Sequence, residues 1–248
     1  MLAYEKPLTV SMVKNSNDPK SQSQASVTPV VTIDGPSASG KSSVSRELAR
    51  RFGWKWVSTG IFYRGLAWAA NEAGVDMTDE NALVQFAASG RGEVVLEPLR
   101  TAFFFDGTDR TAEINKEAVG SLASKISSLP RVRLALLQAQ RDCATGAGLI
   151  AEGRDCGSVV FPSAQVKFFL TARAEDRAQR RALEEGRSLE DTINDQKKRD
   201  RQDANRKAAP MVAPDGSYTI DTTQLGFEEV VAEIEQIVRT KLNLTLNA

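Results

Sequence analysis

The chain has 248 residues, 41% of them hydrophobic and 26% charged, with 32 basic and 32 acidic side chains. That length accommodates a sizeable core in one or two domains; no apolar run approaches the roughly twenty residues of a membrane span, and the balanced charge gives no net field toward nucleic acid or membrane. Histidine is absent, which excludes imidazole bases, His-based triads and H-E-x-x-H zinc sites, and Cys143 and Cys156 make no metal spacing. Two isolated cysteines suit a reducing, cytoplasmic setting better than a disulfide framework.

Residues 1–27 are rich in Ser, Gln, Asn, Lys and Pro and are read as a disordered tail without an apolar period. They lack the apolar centre of a secretory signal, and Glu5 and Asp18 with no arginine argue against a transit peptide. The remainder, 28–248, reads as one α/β domain. Its organising stretch is Val30 to Ser43, where a β-branched run leads into Gly35, four further residues, then Gly40, Lys41 and Ser42, the G-x-x-x-x-G-K-[ST] phosphate loop. Gly35 and Gly40 allow backbone angles that turn successive amides toward phosphate oxygens, and a helix over 41–51 directs its positive end there. Lys41 is expected to bridge the β- and γ-phosphates and the Ser42 hydroxyl to ligate magnesium. Asp34, just before the loop, either orients magnesium-bound water or caps the loop backbone.

A second strand is expected over 54–57, then a helix from Ile61 to Gly74 capped by Thr59, and another over 80–89. Strands over 93–96 and 101–105, followed by the Asp106-Gly107 turn signal, predict a hairpin foreign to a parallel sheet, so 92–124 is read as an inserted lobe. Pro130 opens a helix to Arg141 with Leu134 and Leu137 on its buried side. Strands follow at 148–151, 165–170 and 218–220, and an amphipathic helix at 227–238. The charged run 173–207 is read as a mobile lid, with Arg177, Arg180 and Arg181 partly balanced by neighbouring acids. Alternation of strand and helix predicts a parallel sheet with helices on both faces and ligands at the carboxyl ends of its strands, where the phosphate loop, Thr59 and Arg154 fall.

A phosphate loop alone does not separate switch, motor and kinase. No Asn-Lys-x-Asp element is present, whereas arginines stand at separate loop positions, as a second phosphorylated substrate requires. Arg199, Asp203 and Arg206 are spaced to share one helix face. The segments Thr-Ile-Asp-Gly-Pro-Ser-Ala-Ser-Gly-Lys-Ser, Ser-Thr-Gly-Ile-Phe-Tyr-Arg, Leu-Pro-Arg-Val-Arg, Ala-Glu-Gly-Arg-Asp-Cys-Gly-Ser-Val-Val-Phe-Pro and Lys-Arg-Asp-Arg-Gln-Asp-Ala-Asn-Arg together resemble the bacterial cytidylate kinase family from about Thr28 to the last helix.

The resemblance implies a P-loop NTPase three-layer sandwich with a parallel sheet, an inserted monophosphate-binding lobe with a β-hairpin, and a helical lid. It also implies ATP- and Mg2+-dependent phosphorylation of CMP and dCMP. Carried over by position, Arg64, Arg154 and Arg206 clamp the CMP phosphate and, with Lys41, are the expected catalytic groups. Ser124, Arg133 and Asp155 match the cytosine readers, and Thr59, Arg199 and Asp203 the pocket near sugar and lid. Gly35, Pro36, Ser37, Ala38, Ser39, Gly40, Lys41, Ser42, Ser43 and Arg177 are assigned to ATP. Ser58 and Thr59 depart from the usual Asp and Ser of the second motif, Glu152 stands where aspartate is common, and Cys156 where methionine is often found. Cys156 is read as a small buried hydrophobe ahead of a thiol bordering the acceptor pocket. A carboxylate at Asp155 accepts from the cytosine amino group, which uracil lacks. The alternatives are a kinase for another small acceptor such as UMP, or a nucleotide-dependent switch without transfer. A monomer acting on small nucleotides, with neither nucleic acid polymer nor membrane as partner, is the working expectation.

Overall fold

The structure, a computed structural model, describes residues 8–13, 28–97, 100–204 and 211–244. In chain order the elements are β1 (Leu8–Ser11), β2 (Val30–Asp34), α1 (Lys41–Phe52), β3 (Lys55–Ser58), α2 (Gly60–Glu72), α3 (Glu80–Ala87), β4 (Gly92–Leu96), β5 (Thr101–Phe105) and β6 (Thr108–Asp109). They continue with α4 (Thr111–Ile114), α5 (Glu117–Ile126), α6 (Pro130–Arg141), β7 (Leu149–Gly153), a π-helical turn (Cys156–Val160), β8 (Val166–Thr171), α7 (Ala174–Glu185), α8 (Leu189–Ala204), β9 (Tyr218–Asp221) and α9 (Phe227–Leu242). The chain forms two compact units, Met1–Pro29 with Gly53–Leu149, and Val30–Phe52 with Ile150–Ala248.

The first unit contains an antiparallel sheet in the order β1-β4-β5-β6. The expected hairpin is β4 with β5, in register from Gly92 opposite Phe105 to Leu96 opposite Thr101. Asp106 and Gly107, at φ +49° and +73°, close the next turn, which sets Thr108 against Phe105. The expectation of a disordered tail is wrong at its centre. β1 pairs with β4 from Leu8 opposite Leu96 to Ser11 opposite Glu93, the Met12 amide donates to the Gly92 carbonyl at 3.1 Å, and Val10 and Met12 are buried. Leu8, Val10 and Met12 alternate with Thr9 and Ser11, the period-two pattern of a strand, which the polar composition of the surrounding residues masks; its partner lies more than eighty residues away. The other residues of that expected tail, 1–7 and 14–27, lie outside the described residues.

Helix α2 packs on α5 and on β4 and β5, around Phe62, Leu66, Phe103, Ile114 and Ile126. Gly65 makes this approach possible: a Cβ there would stand 2.4 Å from the Phe103 ring. This unit therefore extends well beyond the insert expected at 92–124. Two local expectations also change. Leu134 on α6 is 74% exposed, and the buried face is Val132, Leu136, Ala139 and Gln140, the i, i+4, i+7, i+8 stripe. Thr59 stands at the N-cap of α2 but, already helical at φ −62° and ψ −20°, makes no side-chain cap.

The second unit carries β7, β2, β8 and β9 as neighbours in that order. β2 and β8 run parallel from Val31 opposite Val166 to Asp34 opposite Phe169, and β8 and β9 from Phe168 opposite Tyr218 to Thr171 opposite Asp221. All of β2 is buried, as a near-continuous apolar run in a parallel sheet requires. α1 buries Val44, Leu48 and Ala49, and α9 buries Val230, Val231, Ile234 and Val238. These two helices are tied by Arg51, which reaches Glu47, Glu228 and Glu235 at 2.8, 2.6 and 3.0 Å. The charged run forms the helices α7 and α8, separated at Gly186 with φ +62°. Among the described residues no helix is long and apolar enough to cross a membrane.

Candidate active site

The phosphate loop leaves β2 through Gly35, at φ +145°, with the Leu170 carbonyl oxygen only 2.0 Å from where a Cβ would be, so only glycine fits. Gly40 is at φ +87°, and Ala38, whose conformation the sequence did not announce, is held left-handed at φ +59°. The Lys41 ammonium is buried and donates to the Pro36 carbonyl at 2.6 Å and to Ser39 Oγ at 3.5 Å. It is thus held across the loop whose amides it accompanies. The Ser42 hydroxyl donates to Glu152 Oε1 at 2.9 Å, and Glu152, at the end of β7, is itself buried.

Asp34 does not cap the phosphate loop, one of the two roles expected of it. Its Oδ1 accepts the Cys156 amide at 2.8 Å and its Oδ2 the Gly157 amide at 2.7 Å, so it caps the π-helical turn after β7, not the phosphate loop. Burial pushes its carboxyl up to about 6 against these two amides, with Asp155 adding like charge. The acidic group beside the proposed magnesium ligand Ser42 is Glu152, which the sequence presented only as a departure from aspartate. Its position at a strand end two residues before Arg154 was the available signal. A hydroxyl with one carboxylate is an oxygen set that suits magnesium, which keeps several waters and takes phosphate oxygens as further ligands.

The arginines of α7 are not solvated charges. Arg177 is 6% exposed; it donates to the carbonyls of Ala172 and Ser37 at 3.1 Å each and grips Asp200 of α8 through two bonds at 3.2 and 2.7 Å. Arg181 donates to Ser37 Oγ at 2.9 Å. Arg180 holds Thr222 through its hydroxyl and carbonyl, and the Thr222 hydroxyl reaches the carbonyls of Thr171 and Ser39. Arg177, expected at ATP, thus bonds the phosphate loop at Ser37, and Arg180, Arg181, Asp200 and Thr222 join it in a network that helical spacing could not reveal.

Of the acceptor residues in this unit, Arg154 donates to the Gly35 carbonyl at 3.0 Å, and Asp155 is buried at the entrance to the π-helical turn. Cys156 is a fully buried free thiol, as the packing reading had it. Arg199 and Asp203 stand on α8, while Arg206 lies outside the described residues. Ser43 stands in the first turn of α1.

The first unit holds the rest. Thr59, after β3, is buried, and its carbonyl accepts Gln140 Nε2 at 3.5 Å. Arg64 on α2 donates to the Ile114 carbonyl at 3.0 Å. At the end of α5 the Ser127 hydroxyl donates to the Ser124 carbonyl at 2.9 Å, and Arg133 donates to the Ser127 carbonyl at 3.3 Å, its guanidinium 5.9 Å from the Tyr63 ring centre. The Ser124 hydroxyl is buried with no hydrogen-bond partner among the described residues. Such a group is a candidate for completion by a ligand. Structure thus gathers Ser124 and Arg133 in one unit, and the phosphate loop, Arg154 and Asp155 in the other.

The chain is similar to known proteins over most of its length. The family model of cytidylate kinase matches residues 31–240. A cytidylate kinase of Bdellovibrio bacteriovorus is 52% identical over 214 residues, covering 86% of this chain and 99% of the relative. Those of Proteus mirabilis and Colwellia psychrerythraea are each 43% identical, covering 84% and 87% of this chain and 94% and 98% of theirs. With the family match running from the phosphate-loop strand into the last helix, this chain belongs to the cytidylate kinase family.

Proposed function

We propose that the chain transfers the γ-phosphoryl group of ATP to CMP and dCMP, giving CDP or dCDP and ADP. The observation that carries this reading is the family match across residues 31–240, which includes both the loop built for a triphosphate and the positions assigned to cytosine. The acceptor is a phosphate oxygen already anionic near neutral pH, so in-line transfer needs no strong base, in keeping with a chain that has no histidine. What the protein supplies is position and charge neutralisation. Loop amides from Gly35 to Ser43 cradle the donor phosphates, and Lys41, released toward them from the Pro36 carbonyl, meets the charge on the β- and γ-oxygens. Arg64, Arg154 and Arg206 hold the acceptor phosphate, with Thr59, Arg199 and Asp203 toward sugar and lid. Ser124, Arg133 and Asp155 read the base. Magnesium, when bound, neutralises the phosphate charge and aligns the oxygens; Ser42 and Glu152 would hold it. The lid helices exclude water from the transfer, and the protein works as a cytoplasmic monomer.

The test is ADP release from ATP and magnesium with CMP, dCMP, UMP, AMP, GMP or no acceptor. Fast turnover with CMP and dCMP, weak with UMP and absent otherwise, is expected. Turnover without any acceptor would turn the reading to a switch, and none with any nucleotide to a kinase for a different small molecule. Asp155→Ala should lose CMP turnover while ATP binding persists.

A further inference from the structure

Asp34 is the last residue of β2 and its side chain is wholly buried. The two amides it accepts, from Cys156 and Gly157, are consecutive, so one carboxylate fixes the direction of the backbone immediately after Arg154 and Asp155. The turn is pressed onto the same strand: a Cβ on Gly157 would come within 2.7 Å of Thr32 Oγ1. It is closed on itself as well, the Asp155 carbonyl accepting the Val159 and Val160 amides at 2.9 and 3.3 Å. From the other side, Arg154 donates back to the carbonyl of Gly35, the residue after Asp34. Arg154 and Asp155 are therefore bracketed between two consecutive residues of the β2-to-loop junction.

Resting on the cytidylate kinase reading, we infer that Asp34 is a positioning residue for acceptor recognition: its carboxylate orients the backbone that presents Arg154 to the CMP phosphate and Asp155 to the cytosine amino group. Two features favour this over simple packing. An ionised carboxylate is costly to bury, and the charge is spent on two short charge-assisted bonds to this one turn. A neutral isostere cannot replace it, because asparagine offers one acceptor oxygen and would set its NH2 against the second amide N–H. The residue that opens the donor loop thereby also aims the acceptor residues.

The experiment compares the wild-type chain with Asp34→Asn, measuring KM for ATP, KM for CMP and the CMP-to-UMP ratio of kcat/KM. The expected result is a rise of about ten-fold in KM for CMP and a narrowed CMP preference, with KM for ATP changed less than about two-fold. An unchanged KM for CMP and unchanged preference, or KM values for ATP and CMP rising together with preference intact, overturns the inference. Should the variant not fold, hydrogen exchange in the wild-type chain decides. Cys156 and Gly157 amides as protected as those of β2 support the link, and fast exchange at both overturns it. A wild-type chain that phosphorylates no CMP defeats the functional reading itself, an outcome distinct from an unaffected Asp34→Asn.

Discussion

Around the phosphate loop several side chains have protein partners, although Ser45 Oγ on α1 is buried without one among the described residues. Lys41 is held by Pro36, Ser42 by Glu152, and Ser37 by Arg177 and Arg181. In the first unit the buried Ser124 hydroxyl has none among the described residues, although Ser127 and Arg133 beside it are bonded. A loop that must wrap a highly charged, flexible triphosphate gains from being shaped in advance, since backbone and side chains then lose little freedom on binding. A pocket that must tell one base from another gains from a polar atom that only the correct partner satisfies, because leaving it unpaired is what penalises the wrong one. On the function proposed above, the loop serves affinity and transfer, and the region of Ser124 serves choice.

The sharpest way to break this contrast is Lys41→Ala, which removes the loop's buried cation. ADP release should fall roughly a thousand-fold, as for other losses of a transition-state charge partner, with far-ultraviolet circular dichroism unchanged; a loss under ten-fold would deny Lys41 its role. Next in size is the foundation of the first unit. Met12→Ala, at the end of β1, should lower stability by about 2–3 kcal/mol, read by denaturant unfolding, because Met12 is buried against Gly92. No change there would mean that β1 contributes nothing to the sheet. Ser124→Ala sharpens the comparison directly. It should raise KM for CMP about five-fold while leaving stability equal or up to about 1 kcal/mol higher, since the hydroxyl has no partner to lose.

The smallest effect belongs to the surface network. Arg51→Ala should cost about 1 kcal/mol or less, the three carboxylates being partly solvated. Hydrogen bonds from Arg50 and Arg51 hold the Glu47 carboxyl down to about 2, below its ordinary value near 4.5. The unfolded chain therefore binds the proton first as pH falls. The contribution of Glu47 is complete above about 4.5 and is lost as pH drops toward 2, so the cost of Arg51→Ala should shrink over that window.

The legible parts were those in which a short run carries its own physics. The strand, Gly35, Gly40, Lys41 and Ser42 announce a phosphate loop because each position has one local job, and Asp106-Gly107 announces a turn because both angles are positive. The charged run forms helices, yet its arginines look solvated in the sequence because their partners, Ser37 and Thr222, lie 140 and 42 residues away from Arg177 and Arg180. Leu134 misled because a leucine in the sequence does not say which stripe meets the core; Val132, Leu136 and Ala139 form it, with Leu137 half-buried beside them.

By itself the sequence determined the α/β class, the phosphate loop, the antiparallel hairpin and the family resemblance, all of which rest on local pattern and motif order. Tertiary structure alone decided that Leu8–Ser11 pairs with β4, that Ser42 bonds to Glu152, and that Asp34 holds the turn after Asp155. Hydrogen bonds made across more than a hundred residues depend on where the fold brings two segments, and no spacing within either segment encodes that meeting.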